Sequence, residues 1–149
     1  MNKRTFSKHA FGYTLMEVVI AIAISGLIIA LLSHSFSKQA PRYQLKKATW
    51  EIYSRLNYAR YKAIYRGKKY KVTFEPNCYL LEKFDEEANE WKEEQRSFLD
   101  GVTITATNSP IFHPRGTVSN LASITVQNLR GRYKISIAIS GRIKVIELD

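Results

Sequence analysis

The sequence holds a single cysteine, Cys78, among its 149 residues. No internal disulfide framework is open to it, nor any zinc site that needs paired cysteines. Histidine is nearly as scarce. His9, His34 and His113 lie far apart, and their spacing assembles neither a metal-ligand set nor a Ser/His/Asp constellation. With 7 Gly and 4 Pro the chain has too few of either for a collagen-like or low-complexity segment. Acidic residues are outnumbered, 13 against 23 Lys and Arg, and the net charge of +10 excludes an acidic tail protein. These absences predict a protein that is not an enzyme and carries no cofactor or metal. Cys78 reads as a small strand or core residue. What is present, 45% hydrophobic and 12% aromatic residues, suffices for one small core.

The longest apolar run lies near the N-terminus. Val18 to Ser37, VVIAIAISGLIIALLSHSFS, contains no Asp, Glu, Lys or Arg over twenty residues, the length an α-helix needs to cross a hydrocarbon core. It reads as one membrane span. Lys3, Arg4 and Lys8 precede it with no acid in the first twelve residues, which puts the N-terminus in the cytoplasm and the rest outside. A cleaved secretory signal would have a shorter apolar region and a small-residue cleavage site, whereas Leu27 to Leu32 continues apolar. A plain signal anchor is the other alternative. Glu17 stands at the cytoplasmic start of the run. A carboxylate there is costly unless it finds a partner, which makes it a functional candidate, or snorkels to headgroup water.

Residues 12 to 32, GYTLMEVVIAIAISGLIIALL, resemble the class III signal of type IV pilins and type II secretion pseudopilins. The likeness lies in the short basic leader, Gly12, Tyr13, Thr14, Leu15, Glu17 and the apolar helix that follows. It implies cleavage by a prepilin peptidase between Gly12 and Tyr13 and N-methylation of Tyr13. It also implies that Glu17 serves assembly, neutralising the free amine of a neighbouring subunit. Glycine suits the scissile position because its backbone, lacking a Cβ, can approach an enzyme closely.

Beyond the run, Pro41 is expected to kink or restart the helix. Leu45, Ala48, Ile52, Leu56, Ala59 and Ala63 then recur at spacings of three and four, predicting an amphipathic helix. Gly67 supplies a left-handed cap, with Lys68 and Lys69 favourable beside the helix C-terminus. Lys38 to Lys71 carries eleven basic residues and one acid, Glu51, interleaved with Tyr43, Tyr53, Tyr58, Tyr61, Tyr65 and Tyr70. That pattern fits stacking on nucleic-acid bases. It fits better a polar face turned to water, headgroups or neighbouring subunits.

After Gly67 the period alternates. Candidate strands are Tyr70 to Phe74, Cys78 to Phe84, Trp91 to Phe98, Val102 to Ala106, Ser123 to Asn128, Tyr133 to Ile139 and Arg142 to Leu148. Short links between them predict an α+β fold: a long N-terminal helix packed against an antiparallel β-sheet domain. Seven acids between Glu82 and Glu94 lack the glycine and spacing of a calcium loop and read as a solvated hairpin tip, or as a face for a basic neighbour. Arg130, Arg132, Lys134, Arg142 and Lys144 form a C-terminal basic set. A two-residue Ser140-Gly141 turn would set Lys134 against Glu147 and Arg132 against Asp149. A three-residue loop that takes in Arg142 would pair Ile139 with Ile143 and Ile137 with Val145, the better apolar match.

The segments ARYKAIYRGKKYKVTF, IFHPRGTVSN and ISIAISGRIKVIEL extend the resemblance to the GspH/FimT family of type IV pilin-like proteins. The family divides into minor pseudopilins of type II secretion and minor pilins of type IV pili. Its organisation implies a leader (1–12), an assembly helix in the membrane (13–37), an amphipathic periplasmic half (38–67) and a β-rich domain (68–149). The expected partners are a prepilin peptidase, other pilins or pseudopilins in a filament, and the inner membrane. Some minor pilins bind DNA during uptake through a Gly-Arg-X-Arg string. Gly141-Arg142-Ile143-Lys144 stands in that place, where lysine keeps the charge and loses the arginine fork. The alternative function is therefore a DNA-binding minor pilin using Arg130, Arg132, Lys134, Arg142 and Lys144.

Overall fold

The computed structural model describes residues 14–148, the side chains of 31–40 excepted. Among the described residues one helix, α1 (Leu15–Arg66), precedes nine strands. The chain divides into two compact units between Lys38 and Gln39. In the first unit Leu15, Ile22, Leu27 and Ile29 are more than 60% exposed. Among the described residues, no helix is long and apolar enough to cross a membrane. The predicted span includes residues 31–37, whose side chains lie outside those described.

In the second unit, α1 buries the stripe that the periodicity marks. Leu45, Ala48, Ile52, Leu56, Ala59 and Ala63 are all at most 3% exposed. Ala48, Ala59 and Ala63 let the helix axis approach the sheets, and Ile52 and Leu56 fill the space between them. The single polar member, Thr49, donates its hydroxyl to the Leu45 carbonyl at 2.8 Å, so it enters the core without an unmet hydrogen bond. No restart occurs at Pro41, which lies inside α1. Proline removes one N–H and one helical bond, and the bonds on either side persist. The Pro41 carbonyl accepts a bond from Asn128 Nδ2 at 2.7 Å. Gly67 ends the helix at φ +63°, the expected left-handed cap.

The strands are β1 (Tyr70–Glu75), β2 (Cys78–Asp85), β3 (Glu90–Phe98), β4 (Thr103–Ala106), β5 (Ile111–Phe112), β6 (Val118–Ser119), β7 (Ser123–Asn128), β8 (Gly131–Ile137) and β9 (Ile143–Leu148). They build two sheets, ordered β3-β2-β1-β5-β6 and β4-β7-β8-β9. All their pairings are antiparallel. The inner faces, Tyr70, Val72, Tyr79, Leu81 and Phe112 on one sheet and Ile104, Ile124, Val126 and Ile135 on the other, join the helix stripe in one core. The fold is α+β, as expected. The pair β5 and β6 adds to the seven strands expected, because two-residue strands are too short to show an alternating period.

Polar links tie helix to sheet at the rim. The buried Tyr79 donates its hydroxyl to Glu51 at 3.0 Å and accepts from Arg55 Nε at 3.3 Å, while Arg55 Nη1 reaches Gln95 at 2.7 Å. Lys62 pairs with Glu94, and Lys71 with Glu82 at 3.1 Å. Part of the complementarity between the basic helix and the acidic hairpin is thus satisfied inside one chain. The hairpin tip itself is built as an Asx turn: Asp85 Oδ1 accepts from the Glu87 amide at 3.1 Å, and Lys92 sits on the other carboxylate oxygen. The Lys92 ammonium and the Glu87 and Ala88 amides hold the Asp85 carboxyl down at about 2.

Candidate functional site

Two regions carry the predicted site residues. Gly12 and Tyr13, the expected cleavage and methylation positions, lie outside the described residues. The structure begins at Thr14, whose Oγ1 accepts the Glu17 amide at 3.2 Å. Thr14 is therefore the N-cap of α1, and Glu17 sits in the first turn, where a carboxylate complements the helix dipole. The T-x-x-E spacing of a capping box is the sequence signal for this cap. The Glu17 side chain is exposed and heads a shallow groove floored by Ala21, Ser25 and Gly26 between Val18, Ile22 and Ile29. A Cβ on Gly26 would meet nothing, and Ser25 returns its hydroxyl to the Ala21 carbonyl at 2.7 Å. Small residues in such a line permit close approach of another helix.

The second region is the outer face of the β7-β8-β9 sheet. The β8-β9 register pairs Ile137 with Ile143, Ile135 with Val145, Ser136 with Lys144, Lys134 with Ile146 and Arg132 with Leu148. Both predicted registers are wrong. The loop is Ile139-Ser140-Gly141, closed by the Ala138 amide on Arg142 O at 2.9 Å and the Gly141 amide on Ala138 O at 2.8 Å. Gly141, at φ +78°, takes the left-handed position that ends a three-residue hairpin loop. The glycine fixes the register, and the apolar matching follows from it.

This register leaves Glu147 opposite Tyr133 rather than Lys134. Burial, then a hydrogen bond with Glu147, pushes the Tyr133 hydroxyl pKa up. Because cross-strand partners share a face, Arg132, Lys134 and Lys144 stand together, and Arg142 continues their row opposite Ala138. Their β7 neighbours on that face, Gln127 and Thr125, are uncharged. Arg130 is not in the row. It lies in the β7-β8 turn at the other end of the strands, its amide bonded to Asn128 Oδ1 at 2.9 Å. None of the five forms an ion pair with a described residue.

The helix surface opposite the core stripe is aromatic. Tyr43, Trp50, Tyr58, Tyr61 and Tyr65 are all more than 40% exposed, and Tyr61 and Tyr65 stack at 5.7 Å. Tyr70 departs from this pattern by entering the core. Lys62 and Arg55 lie over the Tyr58 ring at 5.0 and 5.4 Å, but each also bonds toward the sheet, so the cations among these tyrosines are partly committed within the chain. Cys78 is buried with its thiol on Glu75 at 3.0 Å; that carboxylate, then burial, raises the thiol pKa and disfavours thiolate chemistry. Among the described residues no three His, Cys, Asp or Glu side chains converge as metal ligands.

Comparison with known proteins bears on the N-terminal region and on the fold. Residues 7–33 match the prokaryotic N-terminal methylation motif. The fold is similar to that of the minor pseudopilin EpsH from the type 2 secretion system of Vibrio cholerae, with TM-score 0.60 at 13% identity over 70% of this chain and 97% of EpsH. A second structure of EpsH, a crystal structure, gives TM-score 0.58 at 12% identity over 69% and 93% of the two chains. No curated protein matches the sequence.

Proposed function

We propose that this type IV pilin-like chain is a minor pseudopilin or minor pilin, a structural subunit of a type II secretion pseudopilus or a type IV pilus. The observation that carries the reading is the methylation motif over residues 7–33 in one chain with a minor-pseudopilin fold. In this reading a prepilin peptidase cuts after Gly12 and the new N-terminal Tyr13 is methylated. The helix anchors the chain in the inner membrane with its folded domain in the periplasm, then enters the filament. Glu17 gains from the transfer. A carboxylate among apolar side chains is costly alone, and a neighbour's N-terminal amine offsets that cost. Ala21, Ser25 and Gly26 give the neighbouring helix room to approach. The role is packing and charge pairing, with no catalysis.

The test is mass spectrometry of the chain expressed with and without a prepilin peptidase. The expected product begins at a methylated Tyr13 only when the peptidase is present, and Gly12→Val abolishes it. An unprocessed chain in both strains would overturn the proposal.

One observation favours a second reading, a DNA-binding minor pilin. Arg132, Lys134, Lys144 and Arg142 form a cationic row on a sheet face whose described residues include no acid. Alternate strand residues space such charges roughly 7 Å apart, a linear array suited to a repeating polyanion.

A further inference from the structure

Two turns of the same design meet at the end of that row. In one, the His113 amide donates to Thr117 O and the Gly116 amide to His113 O, both at 2.9 Å, with Gly116 at φ +80°. The other is the Ile139-Ser140-Gly141 loop. Each is a three-residue loop closing on a left-handed glycine, and the glycines pack against each other. A Cβ on Gly141 would lie 2.7 Å from the Gly116 carbonyl oxygen. The Val118 amide bonds Ile139 O at 2.9 Å, so backbone also joins the turns. Arg60 of α1 clamps both, donating from Nε to Gly116 O at 3.3 Å and from Nη2 to Ser140 O at 3.1 Å.

The clamped glycines are the immediate neighbours of Arg115 and Arg142. Both arginines are exposed, and neither pairs with an acid among the described residues. The two turns therefore form one ridge that extends the cationic row onto a loop distant in sequence. We propose that Arg115 is a further phosphate-contacting residue of a DNA site formed by this ridge and the Arg132, Lys134 and Lys144 row. This rests on the DNA-binding reading above. An aligned series of cations flanked by neutral donors matches successive phosphates of one backbone; a single carboxylate partner would leave most of the row unpaired.

The experiment titrates the full chain, held in mild detergent, with a fluorescent DNA duplex across a salt series. The native chain is compared with Arg115→Ala, Arg115→Glu and the Arg142→Ala/Lys144→Ala pair. Arg115→Ala is expected to weaken low-salt binding roughly fivefold and to reduce the slope of log affinity against log salt by about 0.9. Arg115→Glu weakens it further, and thermal unfolding stays unchanged because the side chain is exposed. Native binding by both Arg115 variants, with loss in the Arg142/Lys144 pair, would overturn this inference and leave the DNA reading standing. No duplex binding by the native chain at low salt would overturn both.

Discussion

The two ends of α1 solve the same problem differently. From Leu45 to Ala63 its apolar residues fall on one stripe, and the sheets cover them within the chain. From Leu15 to Ile29 large apolar residues occupy every side of the helix, and this chain leaves them exposed. A helix apolar all round is stable only when its surroundings supply the missing contacts. The covered end determines the fold, while the uncovered end finds no such cover among the described residues. In the proposed filament, Glu17 gives the neighbouring subunit a charge to meet.

Truncating one residue in each end breaks the comparison most sharply. Leu56→Ala should lower the unfolding free energy of the β-domain by about 2 to 5 kcal/mol, from lost burial and the cavity left behind. Ile22→Ala should leave it unchanged, since Ile22 is 68% exposed. Denaturant unfolding of both variants in detergent checks this, and an equal loss in Ile22→Ala would erase the distinction. Smaller effects are expected at the glycines that close the covered region. Gly141→Ala combines a left-handed backbone with a methyl placed 2.5 Å from Arg60 Nε, and should cost about 2 kcal/mol or more. Gly67→Ala meets the same backbone strain with nothing within 4 Å and should cost about 1 kcal/mol.

Much of the covered region was legible in the sequence because its signals are periodic and local. The spacing from Leu45 to Ala63 marks the buried stripe, Gly67 the cap, and alternation the seven longer strands. Where the reading failed, the deciding contact was remote or the element too short. Arg60 bonds to residues 56 and 80 positions away, so no window on the sequence could link it to the two turns. β5 and β6 have two residues each. The β8-β9 register is a different failure. Gly141 takes the positive φ that ends a three-residue loop, and that backbone requirement outranks the pairing of isoleucines. At the uncovered end the apolar run and Glu17 were plain, because composition alone reveals them.

Two further expectations sharpen the comparison at lower energies. Tyr79→Phe removes a hydroxyl bonded to Glu51 and Arg55 and should cost about 1 kcal/mol, read by denaturant unfolding. The smallest effect lies at the β2-β3 tip. Asp85 titrates near 2 when folded, below its ordinary value, so its contribution to tip order is complete above the ordinary carboxylate range. It is lost as pH falls through about 2. A carboxyl titration by NMR should place the midpoint there, and a midpoint at the ordinary aspartate value would remove the Asx turn and the Lys92 pair from solution.

The central claim is that the uncovered end of α1 is completed by other pilin-like subunits after processing. A photo-cross-linker at Ile22, in cells with and without prepilin peptidase, tests it most directly. The account predicts cross-links to pilin or pseudopilin subunits that require the peptidase and disappear in Glu17→Ala. Cross-links that persist unchanged without the peptidase and in Glu17→Ala would contradict it.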